Sequence, residues 1–186
     1  MTFKICIFNY QYHSMRHILE TARLYLREFI PEDAIHFFEM NNDPEVIRYT
    51  GDLPFLSIQA ASQFIINYNA YAETGMGRYA VLRKNDHAFL GWCGLKYHPK
   101  SHWADIGFRF YKKYWKQGYA IESAKVVIHY AFTTLKLPSL IAHAHIDNKA
   151  SHRVIKKCGM QFVKQLIYDE QPAILYRLDN TITRIT

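Results

Sequence analysis

Apolar and polar positions alternate along 23–29, with Leu24 and Leu26 set against Arg23, Tyr25 and Arg27, and this period of two predicts a strand. Pro31, Glu32 and Asp33 then open a helix that runs to about Asn41, with proline near the first helical position and acids where the helix dipole favours them. A short helix follows Pro44. Ser57 is placed to cap another, whose stripe is Ile58, Ala61, Ile65, Tyr68 and Ala72, ended by Gly75 and Gly77. Three strands come next, at about 78–83, 88–96 and 103–111, with turns at Asn85-Asp86 and at His98-Pro99-Lys100-Ser101.

From Tyr119 the period changes. Ala120, Ala124, Val127, Ile128, Ala131 and Leu135 mark one helical face; Glu122, Lys125, His129 and Thr133 mark the other, and Pro138 stops it. Residues 140–146 alternate again. A short helix with Ala150, Val154 and Cys158 spaced by four ends in Lys156, Lys157 and Gly159, and two strands close the pattern at about 161–168 and 173–178. The order is that of a mixed α/β domain. Within it, 103–146 reads as a strand–helix–strand unit, which favours parallel pairing. Residues 1–17 match no clear element, and Met15 offers an alternative start.

The chain of 186 residues suits one domain with a substantial core. Its net charge of +7 and pI near 9.2 fit nucleic acid, an anionic ligand or plain solubility, but no run of five Lys or Arg makes a basic arm. Cys6, Cys93 and Cys158 lie far apart with no CxxC, which fits reduced thiols and a cytoplasmic protein better than a disulfide framework. No stretch reads as a signal peptide or a membrane span, so no membrane partner is expected.

Gly118, in YWKQGYA, falls at the strand-to-helix junction of the 103–146 unit. The first amides of a helix have no internal partners and carry the positive end of its dipole; a glycine there lets the main chain approach a ligand. That combination suits an anion, most often phosphate, and Lys112, Lys113 and Lys116 add charge. A turn glycine with solvated lysines explains the same residues equally well.

The segment ADIGFRFYKKYWKQGYAIESAKVVIHYAF, followed by HIDNKASHRVIKKCGM, resembles the GNAT acetyltransferases, and with the opening TARLYLREFIPEDAIHFFEMNNDPEVIRYTG it looks like their ribosomal-protein alanine/serine N-acetyltransferase group. The resemblance covers about 20–178. It implies a single domain over 18–180, between an N-terminal extension and a tail at 181–186. The implied fold is α/β (α+β): a mostly antiparallel twisted sheet flanked by helices, with one splayed parallel pair at the cofactor site. It implies acetyl-CoA as co-substrate, no metal, no required nucleic acid, and direct attack by a primary amine in a ternary complex. The acceptor it points to is a protein N-terminus, a ribosomal protein among the candidates, with a monomer or homodimer equally open. A small amine as acceptor, a non-catalytic acyl-CoA-binding role and a basic RNA-associated module are the rival readings.

Residue by residue, the family's pyrophosphate loop maps to Trp115, Lys116, Gln117, Gly118, Tyr119 and Ala120, with Trp115 where Gln or Arg is usual. Phe108 and Phe110 map to the main-chain partners of pantetheine, and Asn148 to an asparagine on the cofactor arm that also suits a helix N-cap. The reaction needs a deprotonated amine, donors for an oxyanion and a proton for the departing thiolate. The tyrosine that supplies that proton in many relatives is replaced by Ile155. Ser151 could do so, or could only support its helix. Asp105 is the candidate base, directly or through water; alternatively it attracts an ammonium ion or pairs with Arg109. Glu122 reads as structural. His143 and His145 share a strand face with no third ligand evident, and His98 and His102 read as solvated residues flanking a turn.

Overall fold

The structure is a computed structural model and describes residues 17–181. The expectations for the terminal stretches, Met15 and Cys6 lie outside those residues. One eight-stranded sheet runs through the described chain in the order β1-β2-β3-β4-β5-β6-β8-β7. Its strands are β1 (His17–Glu20), β2 (Leu24–Arg27), β3 (Arg78–Arg83), β4 (Phe89–His98), β5 (Trp103–Phe110), β6 (Ser139–His145), β7 (Gln161–Tyr168) and β8 (Gln171–Asp179). The helices are α1 (Ala34–Asn42), α2 (Pro44–Ile47), α3 (Ile58–Ile66), α4 (Ala70–Thr74), α5 (Tyr119–Thr133) and α6 (Lys149–Lys157).

Alternation along the strands sends side chains to two faces, and each face builds its own core. On one, α1, α2 and α3 bury Phe37, Met40, Val46, Ala61 and Ile65 against Tyr25, Ala80, Leu82 and Trp92. On the other, α5 buries Ala124, Val127 and Ala131 against Leu26, Val81, Leu95 and Ile106, with Ile155 of α6 beside them. The buried pair of Arg27 and Asp33 joins the first core to β2: two bonds of 2.7 Å run from the guanidinium to the carboxylate.

Three local differences from the sequence pattern have physical causes. β1 is an added four-residue edge strand, too short to show a period. The helix opening at Pro31 begins as a 3-10 turn, Pro31–Asp33, before α1. The long stripe from Ile58 to Ala72 is two helices, because Asn67 leaves helical geometry and caps α3, and Asn69 starts α4. Ser57 does cap α3, accepting from the Ala60 amide at 3.1 Å.

All neighbouring strands are antiparallel except β5 and β6. That parallel pair is joined at one position, Asp105 opposite Ile141. Beyond it, towards Phe110 and His145, the two strands part. The α5 and α6 N-termini follow the carboxyl ends of these same strands, so they flank the mouth of the gap, as expected for ligand sites in α/β sheets.

Candidate active site

The gap is lined by main chain on the β5 side. Tyr111 N donates to Leu90 O at 3.0 Å, which turns that residue towards β4. In an antiparallel ladder the direction alternates, so the N–H and C=O groups of Phe108 and Phe110 turn the other way, into the gap. Their rings point away from the α1–α4 face: Phe110 is buried in the α5 core and Phe108 packs on its edge.

One mouth of the gap is the loop 115–118. Lys116 (φ +61°) and Gly118 (φ +85°) both lie in the left-handed region, and Gly118 is the N-cap of α5 without any side-chain cap. Residues of alternating handedness curl successive amides into a concave anion site. The first α5 amide with a main-chain acceptor is that of Glu122, on Gly118 O at 3.0 Å. A side chain at Gly118 would meet Arg23 Nη2 at 3.4 Å from its Cβ, in a backbone conformation that only glycine takes freely. The loop therefore fits a phosphate-bearing ligand. Trp115 explains its own departure from a polar residue: its Nε1 donates to Phe110 O at 2.8 Å, tying the loop to the end of β5. The three lysines nearby are all exposed; Lys112 pairs with Glu45 and Lys113 lies over the Tyr111 and Tyr114 rings, while Lys116 sits in the loop itself. Tyr119 is buried with the Arg23 guanidinium 4.5 Å from its ring centroid, and Ala120 is half-buried one residue further on. Glu122 accepts from Thr21 Oγ1 at 2.6 Å and from Arg23 Nε at 2.7 Å, joining α5 to the β1–β2 turn.

At the other mouth, Asn148 caps α6 by accepting from Ser151 N at 3.0 Å. Ser151 is half-buried and lies one turn before the buried Ile155, on the helix face that looks to the sheet.

Asp105 is 8% exposed, at the point where β5 and β6 still touch. It does not pair with Arg109. The pairs are Asp105 Oδ2 with His98 Nε2, at 2.9 Å, and Arg109 with Asp52 and Asn41. His98 is thus part of the site and not a solvated turn residue; the pairing of β4 with β5 carries it diagonally over Asp105. His102, by contrast, sits at the turn with its Nδ1 2.9 Å from Tyr97 Oη. His143 stacks on Tyr168 with centroids 4.0 Å apart and planes 11° apart. Burial lowers the His143 pKa below 6.5, with Asp105 opposing that shift, and burial raises the Tyr168 hydroxyl to about 12. At neutral pH the imidazole is uncharged, beside a phenol that keeps its proton. His145 stacks on Tyr49 at 5.1 Å, further along the same face.

The sequence profile of the family described as Acetyltransferase (GNAT) domain matches residues 23–161. The chain belongs to the GNAT acetyltransferases. Among curated relatives, the uncharacterised N-acetyltransferase YoaA of Bacillus subtilis is 33% identical over 146 residues, 77% of this chain and 82% of that one. Two solved acetyltransferase structures carry different names on the same fold. The ribosomal-protein-S5-alanine acetyltransferase of Vibrio fischeri superposes with a TM-score of 0.74 at 17% identity, over 88% of this chain and 97% of that one. The spermidine N-acetyltransferase of Vibrio cholerae, in complex with CoA and spermine, gives 0.73 at 17% identity, over 87% and 98%. As a GNAT acetyltransferase, the protein is an enzyme of one mixed sheet with a parallel β5–β6 pair and flanking helices.

Proposed function

We propose that the protein transfers the acetyl group of acetyl-CoA to a primary α-amine, and that the acceptor is the N-terminus of a protein or peptide. The observation that carries this reading is a buried carboxylate with one open oxygen in the site. Asp105 is the carboxylate at the root of the gap, and its Oδ1 has no hydrogen-bond partner among the described residues. A carboxylate accepts protons poorly near neutral pH. It serves an α-amine (pKa about 7.7–8.0) far better than a lysine (about 10.4), which is almost wholly charged at that pH.

In this reading the amides of 115–120 and the Lys116 charge hold the pyrophosphate, with Gly118 giving close approach, Gln117 and Tyr119 shaping the turn, and Ala120 leaving room. Phe108 and Phe110 offer main-chain bonds to the pantetheine arm, and Asn148 adds a contact at α6. Acetyl-CoA supplies the activated thioester. Asp105 takes one proton from the ammonium, directly or through a water, and His98 beside it leads towards solvent. Ser151 Oγ gives a proton to the departing sulfur and recovers one from the amine nitrogen as the amide forms, so one proton leaves overall. The thiols of Cys93 and Cys158 are unpaired, which suits the cytoplasmic location proposed from the cysteine spacing.

The test is competition between two peptides. One has a free α-amine on Ala or Ser and no lysine; the other is acetylated at its N-terminus and carries one free lysine. Mass spectrometry should show the first favoured by about tenfold or more in kcat/KM. Preference for the lysine peptide, or turnover of spermidine alone, would reject the reading.

A further inference from the structure

Four buried side-chain nitrogen or oxygen atoms lack a hydrogen-bond partner among the described residues: Arg27 Nε, Arg78 Nε, Asp105 Oδ1 and His143 Nδ1. The first belongs to the Arg27–Asp33 pair. The other three converge. Arg78 of β3 stands opposite Gly94 of β4, and Gly94 stands opposite Gly107 of β5. Gly94 lets the β3 backbone come close, since a Cβ there would lie 2.5 Å from Arg78 Cα, and the guanidinium ends over Gly107. It lies 4.5 Å over the Trp92 ring, and its Nη2 is 3.7 Å from where a Gly107 Cβ would be. Asp105 is two residues before Gly107, on the same face. His143 is two residues beyond Ile141, the bridge partner of Asp105, so it faces Gly107 across the opening gap. An arginine, a carboxylate oxygen and a neutral imidazole therefore ring one spot at the root of the gap.

Arg78 is set apart from most other arginines, although Arg48 likewise rests on a ring, that of Tyr49. Arg23, Arg27, Arg83, Arg109 and Arg177 each pair with a carboxylate. Arg78 is half-buried, and its guanidinium has no carboxylate or carbonyl partner among the described residues. Removing a charge from water without a counter-group is unfavourable, so such a guanidinium points to an oxygen that arrives with a ligand. Asp105 Oδ1 asks for the opposite: an N–H donor, best supplied by an ammonium. Asp105 and Gly107 are next neighbours on one strand face, about 6.7 Å apart, so a ligand that bonds both Asp105 and the guanidinium over Gly107 carries its donor and its acceptor close together. The donor and acceptor atoms of the ligand are then only a few bonds from each other. An amine with a C=O group on the neighbouring carbon has that spacing. A polyamine has no oxygen, and its second cation would be repelled by Arg78.

We infer that Arg78 determines acceptor specificity by binding the oxygen on the carbon next to the reacting amine, while Asp105 Oδ1 binds the amine, so that the acceptor is an α-amino acyl compound. This rests on the α-amine reading above and narrows it. The shared chemistry is a vicinal carbonyl-type oxygen, supplied either by the carboxylate of a free amino acid or by the first carbonyl of a peptide.

The experiment compares Arg78→Met and Arg78→Lys with the unaltered full chain, by thiol release from acetyl-CoA. The acceptors are alanine, a peptide beginning with alanine, 2-aminopropane (the same amine without the oxygen) and spermidine. Each acceptor is compared with itself across variants, so differences in amine pKa cancel. Calorimetric titration with CoA establishes that each variant is folded and keeps its cofactor site. Arg78→Met should lose about tenfold or more in kcat/KM on the oxygen-bearing acceptors and less than about threefold on 2-aminopropane. Partial recovery in Arg78→Lys on alanine, more than on the peptide, would identify a carboxylate as the oxygen; equal recovery would identify the peptide carbonyl. Equal loss on all acceptors, or none, overturns the inference while leaving the α-amine reading in place. Turnover of spermidine with none of the α-amines overturns both.

Discussion

Gly118 does two things that one side chain would spoil together. Its φ of +85° sets the entry to α5, and its bare Cα leaves the first amides open. In Gly118→Asp the new carboxylate would stand at the proposed pyrophosphate site, and the left-handed backbone would be strained by about 1–2 kcal/mol. Acetyl-CoA affinity measured by calorimetry should fall about tenfold or more, with the fold retained. Unchanged affinity in a folded variant would remove the loop from the site. His143 gives a pH signature. Burial lowers its folded-state pKa, so below about 6.5 the unfolded chain binds a proton that the folded chain resists. The stability it contributes is full above that value and is lost as pH falls through it; His36, also lowered by burial, acts in the same direction. The melting temperature should fall between about pH 7.5 and 5.5, and His143→Asn should flatten part of that slope. A variant with the same slope as the parent would show that the ring is freely protonated. Gly118 stood out in the sequence by its place at a strand-to-helix junction and by the family resemblance, since a plain turn glycine would explain the residue alone equally well. His98 and Arg78 did not. One reaches the site through the register of a hairpin, the other through the bare Gly107 two strands away, and neither relation leaves a local pattern.

Arg27 and Asp33 show what joins one element to the next. The guanidinium of the last β2 residue grips the carboxylate that begins the α1 segment, and both side chains are almost wholly buried. Asp33 Oδ2 also accepts from Ile30 N at 3.0 Å, holding the intervening turn. Asp33→Ala leaves a buried guanidinium uncompensated and should cost about 3–5 kcal/mol. Denaturant unfolding that shows less than about 1 kcal/mol would mean water relieves the charge. Periodicity made most elements legible, since α5 and the alternating strands each bury one face. It gave no trace of β1, where four residues hold less than two full alternations. It also ran α3 and α4 together, because the apolar spacing carries on in the sequence past the break at Asn67, although α4 buries none of its residues.

At the scale of the molecule, the strand–helix–strand unit predicted the parallel β5–β6 pair, but local pattern could not give the insertion of β8 between β6 and β7. That order comes from long-range burial on two faces at once. It leaves five strands on one side of the gap and three on the other, joined within the sheet by the single Asp105–Ile141 bridge. Mechanically this is a plank with a notch sawn into it, and whatever lies in the notch becomes a splint. Without ligand, the amides of Phe108 and Phe110, which face the notch, should exchange with deuterium faster than those of Gly107 and Arg109, which ladder with β4. With CoA bound, that residue-by-residue alternation should fade, and the unfolding temperature should rise with ligand concentration as mass action requires. An exchange pattern indifferent to CoA would mean the notch is not where the ligand lies. The substrate would then be, for as long as it stays, the missing rung of the sheet: chemistry and stiffness would arrive together and leave together.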